Sequence, residues 1–117
     1  MDKEAILITA RCPIRTTLEL LGGKWKLLIL FQLHHAPFRL SALRKNIPDI
    51  SEKMLIQELK SLQESGLVLR QNFGEVPPRV EYQLTAIGRQ TMPLIEQMRA
   101  FALAYEEELR RNTASGQ

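Results

Sequence analysis

Apolar residues recur at helical spacing along the first third of the chain. A first helix is predicted between Pro13 and Gly22 by three apolar positions at such spacing, Ile14, Leu18 and Leu21. The run KWKLLILFQLHH predicts a second, mostly buried helix; a strand is the alternative, because apolar runs of this length fit both. The stretch RLSALRKNI predicts a third short helix, and Pro48 forbids its continuation.

The segment from about 51 to 65 has the clearest amphipathic pattern. Leu55, Leu59 and Leu62 form an apolar stripe at positions i, i+4 and i+7. Ser51 is suited to cap the helix start, and Gly66 fits the left-handed position after a helix end. The pattern therefore predicts a fourth helix that follows the third after a short turn.

Alternating positions then predict two strands and a final helix. LVLRQNF and RVEYQLT have strand-like alternation and are joined by GEVPP. Proline cannot donate within a paired strand, so Pro77-Pro78 must lie at the tip of a hairpin. Thr85 is suited to cap one long helix from about 86 to 110, which Pro93 should bend or start unevenly.

This order of elements predicts a mainly α fold with a small β-hairpin (α+β), namely a winged helix-turn-helix. We expect a single winged-helix DNA-binding domain over 1–117, with the helix-turn-helix at about 39–65 and the wing at about 67–84. In such proteins the second helix of the pair enters the major groove of DNA, and the hairpin reaches the backbone or minor groove.

The fourth helix has polar residues opposite its apolar stripe. Lys53, Gln57 and Lys60 lie there at about 100° per residue. Lysine binds phosphates or guanine edges, and glutamine can pair with adenine. Ser51 adds a hydroxyl at the helix start. These residues are predicted to contact DNA; an ordinary solvated helix face is the alternative.

The hairpin tip and two other places supply further candidate contacts. Pro77 and Pro78 should stiffen the tip, which lowers the entropy lost on binding, and Arg79 follows as a cation for phosphate or a minor groove. The alternative is a rigid turn in which Arg79 pairs with Glu75 or Glu81. Phosphate contacts are also predicted for basic and hydroxyl residues before the fourth helix: Lys24, Lys26, Arg39 and Ser41.

Composition narrows the class without deciding it. Apolar residues make up 44% and charged residues 25%, as in folded proteins and unlike disordered ones. The net charge of +3 is modest, but positive charge gathers between residues 11 and 45, where Glu19 is the one acid. Such a region can attract a polyanion or be a solvated basic face. No apolar run has the length of a membrane span, and the N-terminus lacks a signal-peptide core, so we expect a cytoplasmic protein.

Three motifs are similar to one known family. CPIRTTLELLGGKWKLLIL, FRLSALRKNIPDISEKMLIQELKSLQESGLV and EVPPRVEYQLTAIGRQTMPLIEQM resemble the HxlR-type family of bacterial winged-helix transcriptional regulators, over about residues 11 to 107. The resemblance implies a homodimer that reads a pseudo-palindromic double-stranded DNA operator. It assigns the recognition role to Ser51, Lys53 and Gln57 and the wing role to Pro77, Pro78 and Arg79. Glu52 departs from the polar or basic residue frequent there.

The resemblance also draws attention to Cys12. In some members an N-terminal cysteine senses oxidants or electrophiles, and a helix N-terminus with neighbouring arginines favours thiolate reactivity. Cys12 is the one cysteine of the chain, so any disulfide must join two subunits. The alternative is a small buried side chain without a sensing role.

The last helix carries a second pattern that bears on assembly. Ile87, Leu94, Met98, Phe101 and Tyr105 follow a heptad-like spacing. With Ile14 and Leu18 of the first helix, the last four are predicted to form a dimer interface. The alternative is one domain covered by its own C-terminal helix. A two-fold dimer would place two recognition helices about 34 Å apart.

Enzyme chemistry finds little support. His34 and His35 are adjacent and the chain has one cysteine, so no zinc ligand set is apparent, and no cofactor is expected. No nucleophile-base arrangement or phosphate-binding glycine loop stands out. The alternative function is a winged-helix adaptor that binds proteins and not DNA, and no residue specifies a small-molecule effector.

Overall fold

The computed structural model describes residues 7–114 and is helical apart from one hairpin. Its elements are α1 (Pro13–Leu21), α2 (Lys26–Leu33), α3 (Leu40–Asn46), α4 (Glu52–Glu64), β1 (Val68–Asn72), β2 (Val80–Leu84), α5 (Ala86–Arg89) and α6 (Met92–Ala114). The ambiguous apolar run is therefore a helix. The expected α+β class is confirmed, with a helix-turn-helix followed by a β-hairpin.

The core lies where α2, α3, α4 and the base of the hairpin meet. Fully buried side chains come from the three helices: Ile29, Leu30, Leu43, Leu55, Leu59 and Leu62. The stripe predicted for the fourth helix is thus its buried face. Since burying a leucine stabilises a fold by about 1.5–3 kcal/mol, this stripe fixes the rotation of α4 about its own axis.

The turn between α3 and α4 is anchored at both ends. Ile47 and Ile50 are buried, and the Ile50 amide donates to the Ile47 carbonyl across 3.1 Å. Ser51 then caps α4, because its hydroxyl oxygen accepts from the Met54 amide at 3.1 Å, as the sequence indicates. These contacts determine the angle at which α4 leaves the turn.

The hairpin is joined to the helix-turn-helix by a short bridge. β1 and β2 pair antiparallel from Val68 opposite Leu84 to Asn72 opposite Val80. Phe38, just before α3, exchanges two backbone hydrogen bonds of 3.0 and 2.8 Å with Tyr82 of β2. This bridge was not predicted, and it couples the position of the hairpin to that of α3.

The C-terminal region forms two helices, so the prediction of one long helix over 86–110 is wrong. A break at Gln90 and Thr91 separates α5 from α6. The Thr91 hydroxyl donates to the Gly88 carbonyl at 2.7 Å, which closes the end of α5. Pro93 falls in the first turn of α6, where its missing N–H costs no helical hydrogen bond.

α6 extends beyond the core. Among its described residues only Ile95 is buried. The described chain has a radius of gyration of 18.3 Å and extents of 63 × 40 × 23 Å, whereas a compact chain of this length has a radius of about 13 Å. Much of the surface of α6 is therefore left uncovered by the other residues of the range 7–114.

Candidate nucleic-acid interface

The outward face of α4 is polar and open to solvent. Lys53, Gln57 and Lys60 are all exposed, on the side opposite the buried leucine stripe. Their rotation is fixed by that stripe, and the helix start is fixed by the Ser51 cap. The face can therefore meet a flat or grooved anionic partner without rearrangement of the core.

Arg39 and Ser41 are exposed at the start of α3, the helix that precedes α4 in the chain. Arg44, also on α3, reaches α4 through an exposed ion pair of 3.3 Å between its Nη1 and Glu52 Oε1. Glu52, the departure from the family pattern, thus has a basic partner within the chain, which reduces its repulsion of phosphates.

The two lysines around Trp25 have different environments. The Lys24 ammonium lies 4.7 Å from the centroid of the Trp25 ring and remains exposed. Lys26 instead donates to Glu58 Oε2 at 3.1 Å, and the two side chains are only 15% and 16% exposed. The prediction of Lys26 as a phosphate contact does not fit this geometry, because its charge is paired with Glu58 and its side chain is largely covered.

The tip of the wing is well ordered by its own hydrogen bonds. The Phe73 amide donates to the Arg79 carbonyl at 2.9 Å, one pair beyond the strands. The Asn72 side-chain oxygen accepts from the Gly74 amide at 2.9 Å, and Gly74 has a φ of 69°, which favours glycine. Pro77 and Pro78 are exposed at the end of this turn.

Arg79 is held within the wing. Its Nε donates to Glu75 at 2.9 Å and its Nη1 to Glu81 at 3.2 Å. The guanidinium carbon lies 3.7 Å from the centroid of the Phe73 ring. The expectation of a cation free for phosphate is therefore corrected: Arg79 has the ion pairs of the alternative interpretation, and its charge is balanced by two carboxylates.

The residues predicted for a dimer interface form an exposed apolar surface on α1 and α6. They are Ile14, Leu18, Leu94, Met98, Phe101 and Tyr105. The Phe101 and Tyr105 rings stack at 6.3 Å. Between α1 and α6 lies a concavity of about 440 Å³ lined by Ile14, Leu18 and Met98 among others. This surface is apolar, whereas the outward face of α4 is polar. An exposed apolar surface of this kind is typical of a protein–protein interface.

Cys12 occupies the N-cap position of α1 and is partly exposed. Its side chain makes no capping hydrogen bond. The exposed Arg11 and Arg15 flank it in sequence. Cys12 thus lies two residues before Ile14, the first residue of the apolar surface on α1.

A polar contact at the start of α6 escaped the sequence analysis. His34 Nε2 lies 3.0 Å from the hydroxyl of the buried Thr91. Because that hydroxyl already donates to Gly88, His34 Nε2 must be the donor. Burial lowers the pKa of His34, and the Arg89 charge lowers it further. No periodicity or motif relates residues 34 and 91, so this pair had no signal in the sequence.

A helix-turn-helix, a hairpin wing and an exposed polar second helix define the winged-helix class of regulators. The HxlR-like helix-turn-helix family model matches residues 20–110. The chain belongs to this family.

Individual relatives agree. YkvN of Bacillus subtilis (strain 168), an uncharacterized HTH-type transcriptional regulator, is 42% identical over 97 residues, which are 83% of this chain and 82% of YkvN. A solved Porphyromonas gingivalis W83 protein, assigned to the MarR family of transcriptional regulators, is 42% identical with a TM-score of 0.80, over 85% of this chain and 97% of that one. The redox regulator HypR in its oxidized form is 35% identical with a TM-score of 0.75, over 80% and 96%.

The family and these relatives are transcriptional regulators and not enzymes. Within residues 7–114, none of the helices combines the length and apolar character that a membrane span requires. The family therefore indicates transcriptional regulation, and the exposed polar face of α4 is the candidate surface for it.

Proposed function

We propose that the protein is a sequence-specific DNA-binding regulator that binds a pseudo-palindromic operator as a homodimer. The observation that carries the proposal is the exposed face of α4, with Lys53, Gln57 and Lys60 directed away from the core by a fully buried leucine stripe. A side chain that reads a base edge must be exposed and fixed in rotation, and these residues meet both conditions.

Phosphate contacts around this helix complete the proposed surface. Ser51 at the start of α4, Arg39 and Ser41 at the start of α3, and Lys24 beside Trp25 are exposed. Such contacts set affinity and register without sequence choice. In this proposal Lys26 supports α4 through Glu58 and does not touch DNA.

The wing acts through its shape in the same proposal. Pro77 and Pro78 reach the backbone beside the groove, and Arg79 keeps the tip folded through its two carboxylates and Phe73. Phosphate can replace one carboxylate when the tip meets DNA, since both are anions that a guanidinium binds with two parallel hydrogen bonds.

Electrophoretic mobility on duplex DNA from upstream of the gene tests the proposal. The wild type is expected to retain a specific fragment, with affinity that falls steeply as salt rises. Gln57→Ala should lose about 1–3 kcal/mol of discrimination at particular base pairs. Gln97→Ala, an exposed glutamine of α6, is the matched control and should bind as the wild type does. Absence of specific retention at low salt would favour the adaptor function.

A redox signal through Cys12 extends the proposal. HypR is a redox regulator, and Cys12 is partly exposed at the N-cap of α1 with no capping hydrogen bond from its side chain. An added thiol oxidant such as diamide can take two electrons and two protons from two Cys12 thiols as one disulfide forms between subunits. A footprint with and without diamide is expected to differ for the wild type and to be identical for Cys12→Ser. Equal footprints for the wild type would remove Cys12 from the mechanism.

A further inference from the structure

The polar face of α4 is bordered by an exposed apolar side chain, Ile56. Ile56 is 46% exposed, although it stands in the middle of the helix between two buried leucines in sequence. A β-branched residue loses rotamer freedom in a helix, so isoleucine is a poor choice for a helix position that is only solvated. A single exposed apolar residue is common on protein surfaces, so its neighbours must decide whether it has a role.

The neighbours of Ile56 are the cations of the proposed interface. Lys53 precedes it by three residues and Lys60 follows it by four, the two spacings at which side chains on one helix face are adjacent. Around the helix axis Ile56 is about 40° from Lys60 and about 60° from Lys53. Glu52, four residues before, is paired with Arg44. Ile56 therefore lies at the edge of a surface that attracts a polyanion.

Met54, on the opposite edge of the same face, has different surroundings. It is 36% exposed, and the residue four positions on is Glu58, which is paired with Lys26 of α2. This edge of α4 faces α2 through an ion pair, whereas the Ile56 edge is flanked by two exposed lysines. Of the two exposed apolar side chains of α4, Ile56 is the one with an exposed lysine three residues before it and another four residues after it.

The major groove presents one apolar group to such a side chain. Donors and acceptors line the edges of all four base pairs, and the C5 methyl of thymine is the exception that an apolar side chain can cover. Removal of both the isoleucine and the methyl from water stabilises the contact, while Lys53 and Lys60 hold the phosphates or base edges on either side.

We propose that Ile56 reads a thymine methyl in the operator, so that each half-site contains a thymine whose methyl sets part of the sequence preference. This inference rests on the proposed DNA-binding function and deepens it. It also gives α4 two kinds of base readout, hydrogen bonds through Gln57 and an apolar contact through Ile56. Water competes for the hydrogen bonds of Gln57 more than for the apolar contact of Ile56.

Replacement of thymine by uracil in the bound fragment tests the inference. Each dT of the footprinted region is changed singly to dU, which removes one methyl and leaves base pairing intact. At one position in each half-site, wild-type affinity is expected to fall about three- to tenfold, the effect of uncovering a methyl and the isoleucine surface against it. Ile56→Ala should bind the thymine fragment that much more weakly and show less than twofold further loss with uracil.

Met54→Ala is the matched control, and it should keep the full uracil effect. Ile56→Val retains a β-branched methyl and should keep part of it. Circular dichroism of each variant checks that α4 is folded. Specific retention of the fragment with no uracil position that matters, or a uracil effect that persists in Ile56→Ala, overturns this inference alone. Failure of the wild type to retain any fragment overturns the proposed function together with it.

Discussion

Lys26 was predicted to contact DNA, but its side chain makes an ion pair within the fold instead. Lys26 is basic, follows Trp25 and is the first residue of the apolar helix α2, so its sequence position favours a phosphate contact. In the structure it pairs with Glu58 at 3.1 Å, with both side chains mostly covered. The pair fastens α2 to α4, so its effect on DNA binding is through the position of α4.

The pair predicts a strong coupling between two distant positions of the chain. Lys26→Met leaves the Glu58 carboxylate mostly buried and unpaired, and we expect a loss of about 2–4 kcal/mol in the free energy of unfolding. The double variant with Glu58→Leu should lose less than the single variant, because no charge is left uncompensated. Urea unfolding of the four proteins in this cycle gives the coupling. Additive effects would show that the pair contributes no interaction of its own.

His34 is a second residue whose environment gives it an unexpected role. It donates from Nε2 to Thr91 in the break between α5 and α6, close to Arg89, His35 and Glu96. Burial, then the Arg89 charge, lowers its pKa from the ordinary 6.5, while Glu96 opposes that shift. The folded state therefore disfavours the charged imidazolium relative to the unfolded chain.

This direction of the shift predicts how stability depends on pH. Between the lowered folded pKa and 6.5, the unfolded chain binds more protons, so stability decreases as pH falls through that window and is unaffected by His34 above it. Urea midpoints at about pH 7.5 and about pH 5.5 should differ more for the wild type than for His34→Gln, whose amide can still donate to Thr91. An equal pH difference in both proteins would contradict this account.

At the scale of elements, a helix or strand can be predicted when the residues that start, bury and end it are close together in the sequence. α4 could be predicted because its cap, its stripe and its terminating glycine are all within sixteen residues of the chain. The break between α5 and α6 could not be predicted, because the apolar pattern continues across both helices. The break follows from the hydrogen bond that Thr91 donates to Gly88 and from a new helix start, whose first turn accommodates Pro93. The Phe38–Tyr82 bridge is similarly long-range.

The candidate site follows the same division. The exposure of Lys53 and Gln57 follows from periodicity alone, so it could be predicted. The state of Arg79 could only be given as two alternatives, because a guanidinium four residues after Glu75 and two before Glu81 can turn inward or outward. In the structure Arg79 pairs with both carboxylates, and its guanidinium carbon also lies 3.7 Å from the centroid of the Phe73 ring.

The structure of the wing predicts an effect of Arg79 that does not require DNA. Arg79→Ala removes two ion pairs and the stacking on Phe73, so the tip should open more often. The Phe73 amide, which donates to the carbonyl of residue 79, is expected to exchange with solvent about tenfold faster in the variant. Amides within α4 should keep their wild-type exchange rates. Unchanged exchange at Phe73 would mean that the proline pair alone holds the tip.

At the scale of the whole molecule, the described chain leaves much apolar surface uncovered. α6 has 23 residues, about 34 Å, and only Ile95 of its described residues is buried. Leu18 and Phe101 remain 64% and 71% exposed. A monomer of this size rarely exposes so much contiguous apolar surface, which supports the proposal that a second copy of the chain packs against α1 and α6.

A charge placed on this surface should therefore separate the subunits. Phe101→Glu is expected to weaken self-association by at least about 2 kcal/mol, roughly thirtyfold, because the carboxylate would be buried without a partner. Ala100→Glu adds the same charge to an exposed position on another side of α6 and is the control. Sedimentation velocity should show a dimer for the wild type and the control and a monomer for Phe101→Glu at micromolar concentration. Since a monomer presents one half-site reader, this variant should also lose most of its operator affinity with α4 unchanged. A wild type that sediments as a monomer, with Phe101→Glu indistinguishable from it, would mean that α6 covers no second subunit.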